Sequence, residues 1–198
     1  NAILAFNTTL SRVGPYRQAV FLGDSITAGF GAVKPYWQYL YTGSTTGAGW
    51  AYSGTNWSNL RIRVRAFNGA GMGLTSDANG SVGASDNYLS ALQPDGTFFT
   101  KTIYFLFAGT NDLGAGTLAT TIWNGAATNG MKKFIQNRLA ENASNYVYVI
   151  PPLPRSDAGW SAGKETQRMA LITLMATDMP AGNAVYCSAV SSFPAPDS

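Results

Sequence analysis

Short apolar runs set the pattern of this chain. "QAVFLG" (18–23), "TIYFLFAG" (102–109) and "NYVYVIPP" (145–152) are rich in β-branched and aromatic residues and bounded by polar or turn residues. That is the signature of strands buried on both faces. "LRIRVRAFN" (60–68) and "NAVYCSAV" (183–190) carry it more weakly. Between them, Ile122 to Leu139 and Lys164 to Ala176 have helical spacing; in the second, Met169, Ile172, Leu174, Met175 and Ala176 form an apolar stripe behind an early acid, Glu165. Strands alternating with helices imply right-handed crossovers, so the predicted fold is α/β: a three-layer α/β/α sandwich around a parallel sheet of about five strands. Residues 31–60, rich in Gly, Thr, Trp and Tyr, fit neither period and read as a long loop with aromatic anchors. Tyr36, Trp37, Tyr39, Tyr41, Trp50, Tyr52 and Trp57 in that loop serve either local packing or stacking on sugars.

Composition narrows the function classes. At 198 residues and 45% hydrophobic, the chain can bury one substantial core, and a single domain over 1–198 is expected. No apolar run approaches the roughly 20 residues that a membrane span requires. The formal charge of +3 rests on 13 basic and 10 acidic residues, too thin and scattered for a nucleic-acid footprint. Arg61, Arg63 and Arg65 alternate with Ile62 and Val64, reading as the solvent face of a strand rather than a phosphate site. The one cysteine, Cys187, sits in an apolar run and reads as a buried structural thiol; neither a metal nor a cofactor is expected. The chain opens at Asn1 with no secretion signal, and it reads as an excised piece of a longer polypeptide or surface assembly. Low charge with abundant Gly, Ser, Thr and Asn suits an extracellular or particle-surface location. Four Asn-x-Ser/Thr sequons, at Asn7, Asn56, Asn79 and Asn142, add little, because so short a pattern recurs by chance.

In an open parallel sheet, ligands are met just beyond the carboxyl ends of the strands. Four such places stand out: Gly23-Asp24-Ser25, "NGAGMGLTSD" (68–77), Gly109-Thr110-Asn111-Asp112, and "SSFPAPDS", with Asp197 near the end. Each has a plain reading. Asp24 and Ser25 could cap a helix, the glycines of 69–73 could form a tight turn, and Asn111 and Asp112 could begin a helix. Thr27 stands where a Gly-x-Ser-x-Gly elbow requires glycine, which excludes that nucleophile pattern. The spacing of Gly69, Gly71 and Gly73 also fails the dinucleotide fingerprint, with Leu74 at the third-glycine position.

Taken together and in order, "GDSIT", Asn68-x-x-x-x-Gly73 and "GTND" resemble the first three blocks of the SGNH (GDSL-type) esterase and lipase superfamily. The resemblance implies a flavodoxin-like sandwich and ester hydrolysis through an acyl-enzyme. It matches Ser25 to the nucleophile, and the backbone N–H of Ser25, the backbone N–H of Gly73 and the side-chain amide of Asn111 to the oxyanion hole. Asp24 and Asp112 become supporting residues that order the two loops.

The fourth block of that family is Asp-x-x-His, and this chain contains no histidine. If Asp197 is the motif's aspartate, which orients the base, the histidine belongs at position 200, beyond Ser198. The domain is therefore expected to be truncated at its C-terminal end, and as written nearly inactive, since Asp and Glu are weak bases and Lys34 or Lys164 would need strong desolvation. The expected function is hydrolysis of a small-molecule or polysaccharide ester, with a carbohydrate O-acetyl ester favoured. The competing reading is a catalytically silent carbohydrate-binding or scaffold domain on the same fold.

Overall fold

A computed structural model of the chain describes residues 18–29, 61–66, 69, 71–72, 102–125 and 130–188. Five strands, β1 (Gln18–Gly23), β2 (Arg61–Ala66), β3 (Thr102–Phe107), β4 (Tyr146–Ile150) and β5 (Ala184–Tyr186), form one sheet in the order β2-β1-β3-β4-β5. All four pairings are parallel. Five helices accompany them among the described residues: α1 (Ser25–Ala28), α2 (Thr110–Gly114), α3 (Ala119–Asn124), α4 (Met131–Glu141) and α5 (Ala162–Thr177). The arrangement is a three-layer α/β/α sandwich, as the strand pattern implies, and it is of the flavodoxin-like kind that the family resemblance implies.

Alternation along the strands makes two cores. Val20 and Leu22 of β1, with Tyr104, Leu106, Val147 and Val149, face the helical layer of Ile122, Trp123, Met131, Phe134, Leu171 and Met175. Ala19, Phe21, Ile103, Phe105 and Tyr148 face the other way. There Phe21, Phe105 and Tyr148 stack across three strands, with centroids 4.5 and 5.4 Å apart and planes within 6° and 11° of parallel. Both faces being apolar explains why β1, β3 and β4 read as continuous hydrophobic runs rather than alternating ones.

Two helical expectations need correction. Ile122 to Leu139 is not one helix: α3 stops at Gly125, whose φ of 76° is left-handed, and α4 restarts after Gly130. No Cβ fits at Gly130, because it would run into the backbone of 123–125, so glycine permits the sharp return. On α5 the buried face is Arg168, Leu171, Ile172 and Met175, while Met169, placed on the apolar stripe by sequence, is 45% exposed. The helix turns its stripe by about one residue because Arg168 is drawn in by Glu165 and the Pro152 carbonyl. Asp178 then ties the layer together, accepting from Trp123 Nε1 at 2.8 Å and pairing with Lys132 Nζ at 2.6 Å.

Cys187 is a free thiol packed against the second core, and burial pushes its pKa up to about 12, which keeps it protonated and unreactive. Arg61, Arg63 and Arg65 lie on β2 at one edge of the sheet; their side chains, like residues 31–60, lie outside the described residues.

Candidate active site

The chain runs from β1 to β2 on one side and then returns to β3 on the other, so the switch point lies between β1 and β3. In such sheets the ligand crevice opens there, outside the carboxyl ends. Gly23 pairs with Phe107 at the last rung of this pair. The sheet therefore releases Asp24-Ser25 and Ala108-Gly109-Thr110-Asn111 side by side. Gly23 must be glycine, because a Cβ would meet the Thr27 side chain and the Phe107 carbonyl.

Asp24 ends the strand as the N-cap of α1, its Oδ1 accepting from Ile26 N at 3.0 Å. Ser25 is therefore the first residue of a one-turn helix closed by Gly29 at φ 83°. The plain reading of Asp24 as a cap is correct and fully compatible with a supporting role, since the cap is what aims Ser25. Among the described residues Asp24 Oδ2 has no hydrogen bond of good geometry, and neither does Thr110 Oγ1. The hydroxyl is nonetheless close enough to act on the acid. Burial raises the Asp24 pKa above the usual carboxylate range, against the lowering effects of the Ile26 amide, Thr110 and the charge of Arg155.

Because the folded state holds the Asp24 proton more tightly than the unfolded chain, stability falls as pH rises from the ordinary aspartate range through the raised value. Asp24→Asn retains an acceptor for Ile26 N–H and offers Thr110 a donor, without the buried charge. The variant should melt a few degrees higher than the parent at pH 8, with the gain vanishing below about pH 4, where both side chains are neutral. Melting curves at the two pH values check this, and an equal gain at both would remove the buried charge as its cause.

On the β3 side, Gly109 turns the chain at φ 104°, and α2 begins at Thr110. Side chains here are strained in any residue but glycine, and Leu171 and Met131 already stand 3.2 and 3.3 Å from where its Cβ would be. Asn111 is half-buried, while Asp112 points inward and is only 7% exposed. Both oxygens of Asp112 accept from Met72 N, at 3.1 and 3.0 Å. Gly71 rides directly over that carboxylate: a Cβ there would stand 2.6 Å from Oδ1. The glycine at 71 is thus explained by close approach to an acid rather than to a nucleotide, and the loop after β2 is fastened beside the loop after β3.

The structure therefore brings Asp24, Ser25, Asn111 and Asp112 onto adjoining loops just beyond the carboxyl ends of β1 and β3. Asn68, Gly73 and Asp197 lie outside the described residues; Gly73 follows the fastened Met72 directly. Arg155 is absent from the sequence-derived candidates because the continuation of β4, "PPLPRSD", reads as a proline-rich loop. Its place after a strand end is the signal that points to it. No group of acids, cysteine and histidine able to hold a metal occurs among the described residues, and no described helix is long and apolar enough to cross a membrane.

Residues 21–187 match the model of the GDSL-like lipase/acylhydrolase family. The chain belongs to that family. Among solved structures, the carbohydrate acetylesterase Est24 from Sinorhizobium meliloti superposes with a TM-score of 0.58 at 18% identity, covering 86% of this chain and 83% of its own. A mutant of the esterase AlinE4 gives 0.55 at 17%, covering 90% and 80%. A family 2 carbohydrate esterase with a carbohydrate-binding domain, from Corynascus thermopiles (Myceliophthora fergusii), gives 0.52 at 19%, covering 86% and 55%. At these identities the likeness is one of fold. A search of curated proteins finds no match.

Proposed function

We propose that this GDSL-family domain is a serine ester hydrolase acting through an acyl-enzyme on acetyl esters of carbohydrates. The observation that supports it most is the rung between Gly23 and Phe107, which sets Ser25 and Asn111 on adjoining loops at the switch point. In the proposed reaction Ser25 Oγ attacks the ester carbonyl and gives its proton to a base. The oxyanion is held by the N–H groups of Ser25 and Gly73 and by the Asn111 amide. Collapse expels the sugar hydroxyl, and water then releases acetate from Ser25. Preorganised neutral donors suit this task because they need no reorientation as charge develops. The acetyl-sugar preference rests on the names of Est24 and the family 2 esterase among the structural relatives, and on the tyrosine- and tryptophan-rich stretch 36–57.

No histidine is present in the 198 residues, so the reading requires a base from outside them, oriented by Asp197. Expression of the gene continued past Ser198 tests both parts at once. A serine-directed phosphonate should label Ser25 stoichiometrically, with peptide mass spectrometry locating the adduct, and the same protein should release acetate from an acetylated xylan oligomer. Binding of the oligomer with neither labelling nor acetate release would establish the silent binding module instead.

A further inference from the structure

The connection from β4 to α5, residues 151–161, is braced at several points. Arg168 Nη1 donates to the Pro152 carbonyl at 3.2 Å while its Nε and Nη2 grip Glu165 at 2.9 and 2.6 Å. Trp160 Nε1 donates to the same Glu165 at 3.1 Å, and Lys164 Nζ donates to the Gly159 carbonyl at 2.7 Å. Arg155 stands on this fixed bow. Its guanidinium lies 5.1 Å from the centroid of the Trp160 ring, and its Nε donates to Asp157 Oδ2 at 2.6 Å.

That pair is a poor explanation for the arginine. Both partners are largely solvated, at 39% and 47% exposure, and exposed ion pairs add little to stability. What Trp160 and Asp157 do achieve is to hold the side chain still, which lowers the entropic cost of binding something else. Among the described residues only Nε is engaged in a hydrogen bond, leaving the Nη1–Nη2 edge that matches a carboxylate with two parallel bonds. Nη1 faces α2 at Gly114, 3.8 Å from where a Cβ would stand. The charge is felt at Asp24, the neighbour of Ser25. The carboxyl end of the sheet thus carries a cation, positioned by Trp160 and Asp157, where the loop after β4 meets α2.

We propose that Arg155 is a specificity-determining residue that binds a carboxylate on the sugar portion of the substrate, so that the preferred ester is an acetylated acidic sugar of the uronic-acid class. This rests on the esterase reading for turnover, but the recognition itself does not.

Hydrolysis of 4-acetoxybenzoate and of phenyl acetate, which differ in the carboxylate, tests it on the gene product continued past Ser198. The readout is the ratio of kcat/KM for the anionic ester to that for the neutral one. Because both are measured on one sample, any loss of folded protein cancels. Arg155→Gln should lower the ratio by about 10- to 100-fold, the range for losing a charged hydrogen-bond partner, and Arg155→Glu should lower it further. A ratio within twofold of the parent in both variants overturns the proposal. If neither ester is hydrolysed, the esterase reading has failed by itself, and NMR titration of galacturonate against galactose decides the remaining question. Galacturonate should bind at least 10-fold more weakly to Arg155→Gln than to the parent; equal affinity overturns the proposal.

Discussion

Ser25→Ala should lower kcat for acetate release by about 10⁶-fold, the scale on which a serine nucleophile and its base act as one unit. Assays use the full-length gene product, and stopped-flow or long-time acetate detection covers the range. The substitution is clean for a physical reason. The cap of α1 belongs to Asp24, whose Oδ1 takes the Ile26 N–H, so removing the Ser25 hydroxyl leaves the helix and its N–H donors in place. Substrate binding and melting temperature should therefore stay with the parent while turnover disappears. The residue left behind still offers a backbone N–H to an oxyanion, so a small rate above solution is expected. Retention of activity within 10-fold would assign the nucleophile elsewhere and sink the proposed mechanism.

Asp112→Ala should cut kcat by about 10²- to 10³-fold, the loss expected when one oxyanion donor is misplaced, with KM changed far less. In the proposed mechanism Asp112 is a positioning residue that does not touch the reacting atoms. Its two oxygens hold Met72 N, and the next residue in the chain is Gly73, the proposed backbone donor. A donor that acts only on the developing oxyanion affects the transition state and not the bound ester, hence the split between kcat and KM. Releasing a buried N–H from a carboxylate also costs about 1.5–3 kcal/mol of stability, so the variant should melt earlier as well. Asp112→Asn separates the two effects: its Oδ1 can still accept from Met72, and it should recover most of kcat. Failure of Asn to rescue, with both variants folded, would show that the carboxylate serves some other purpose.

The centre of the sheet was legible in the sequence because β1, β3 and β4 bury two faces, which forces a continuous apolar run that no exposed helix would carry. β1 matches "QAVFLG" residue for residue, and the weaker run at 183–190 yields only three residues of strand, at the sheet edge where one neighbour is missing. The helices were less legible. The break between α3 and α4 depends on one left-handed glycine and on a crowding at Gly130 that exists only once the chain has folded back. Met169 went to the wrong face because Arg168 looks polar in sequence, yet pairing with Glu165 and Pro152 lets it be buried. For the site, the glycines at 23 and 109 and the acids at 24 and 112 were visible as motif letters. Their reasons were not: that Gly71 makes room for Asp112 joins positions 41 residues apart, and no local pattern announces it. Arg155 was hidden for the opposite reason, since it belongs to no motif at all.

The column of rings formed by Phe21, Phe105 and Tyr148 has a bearing on the crevice above it. Strands in parallel can slide by two residues without changing which side chains face inward, so burial alone does not forbid such a slip. A slip of that size between β1 and β3 would part Ser25 from Asn111 by about 7 Å, and in the direction that sets Phe21 opposite Ile103 it would also break the stack. The aromatic column thus acts as a one-way stop for the register: buried on one face of the sheet, it resists a slip that would part the proposed nucleophile from the proposed oxyanion donor.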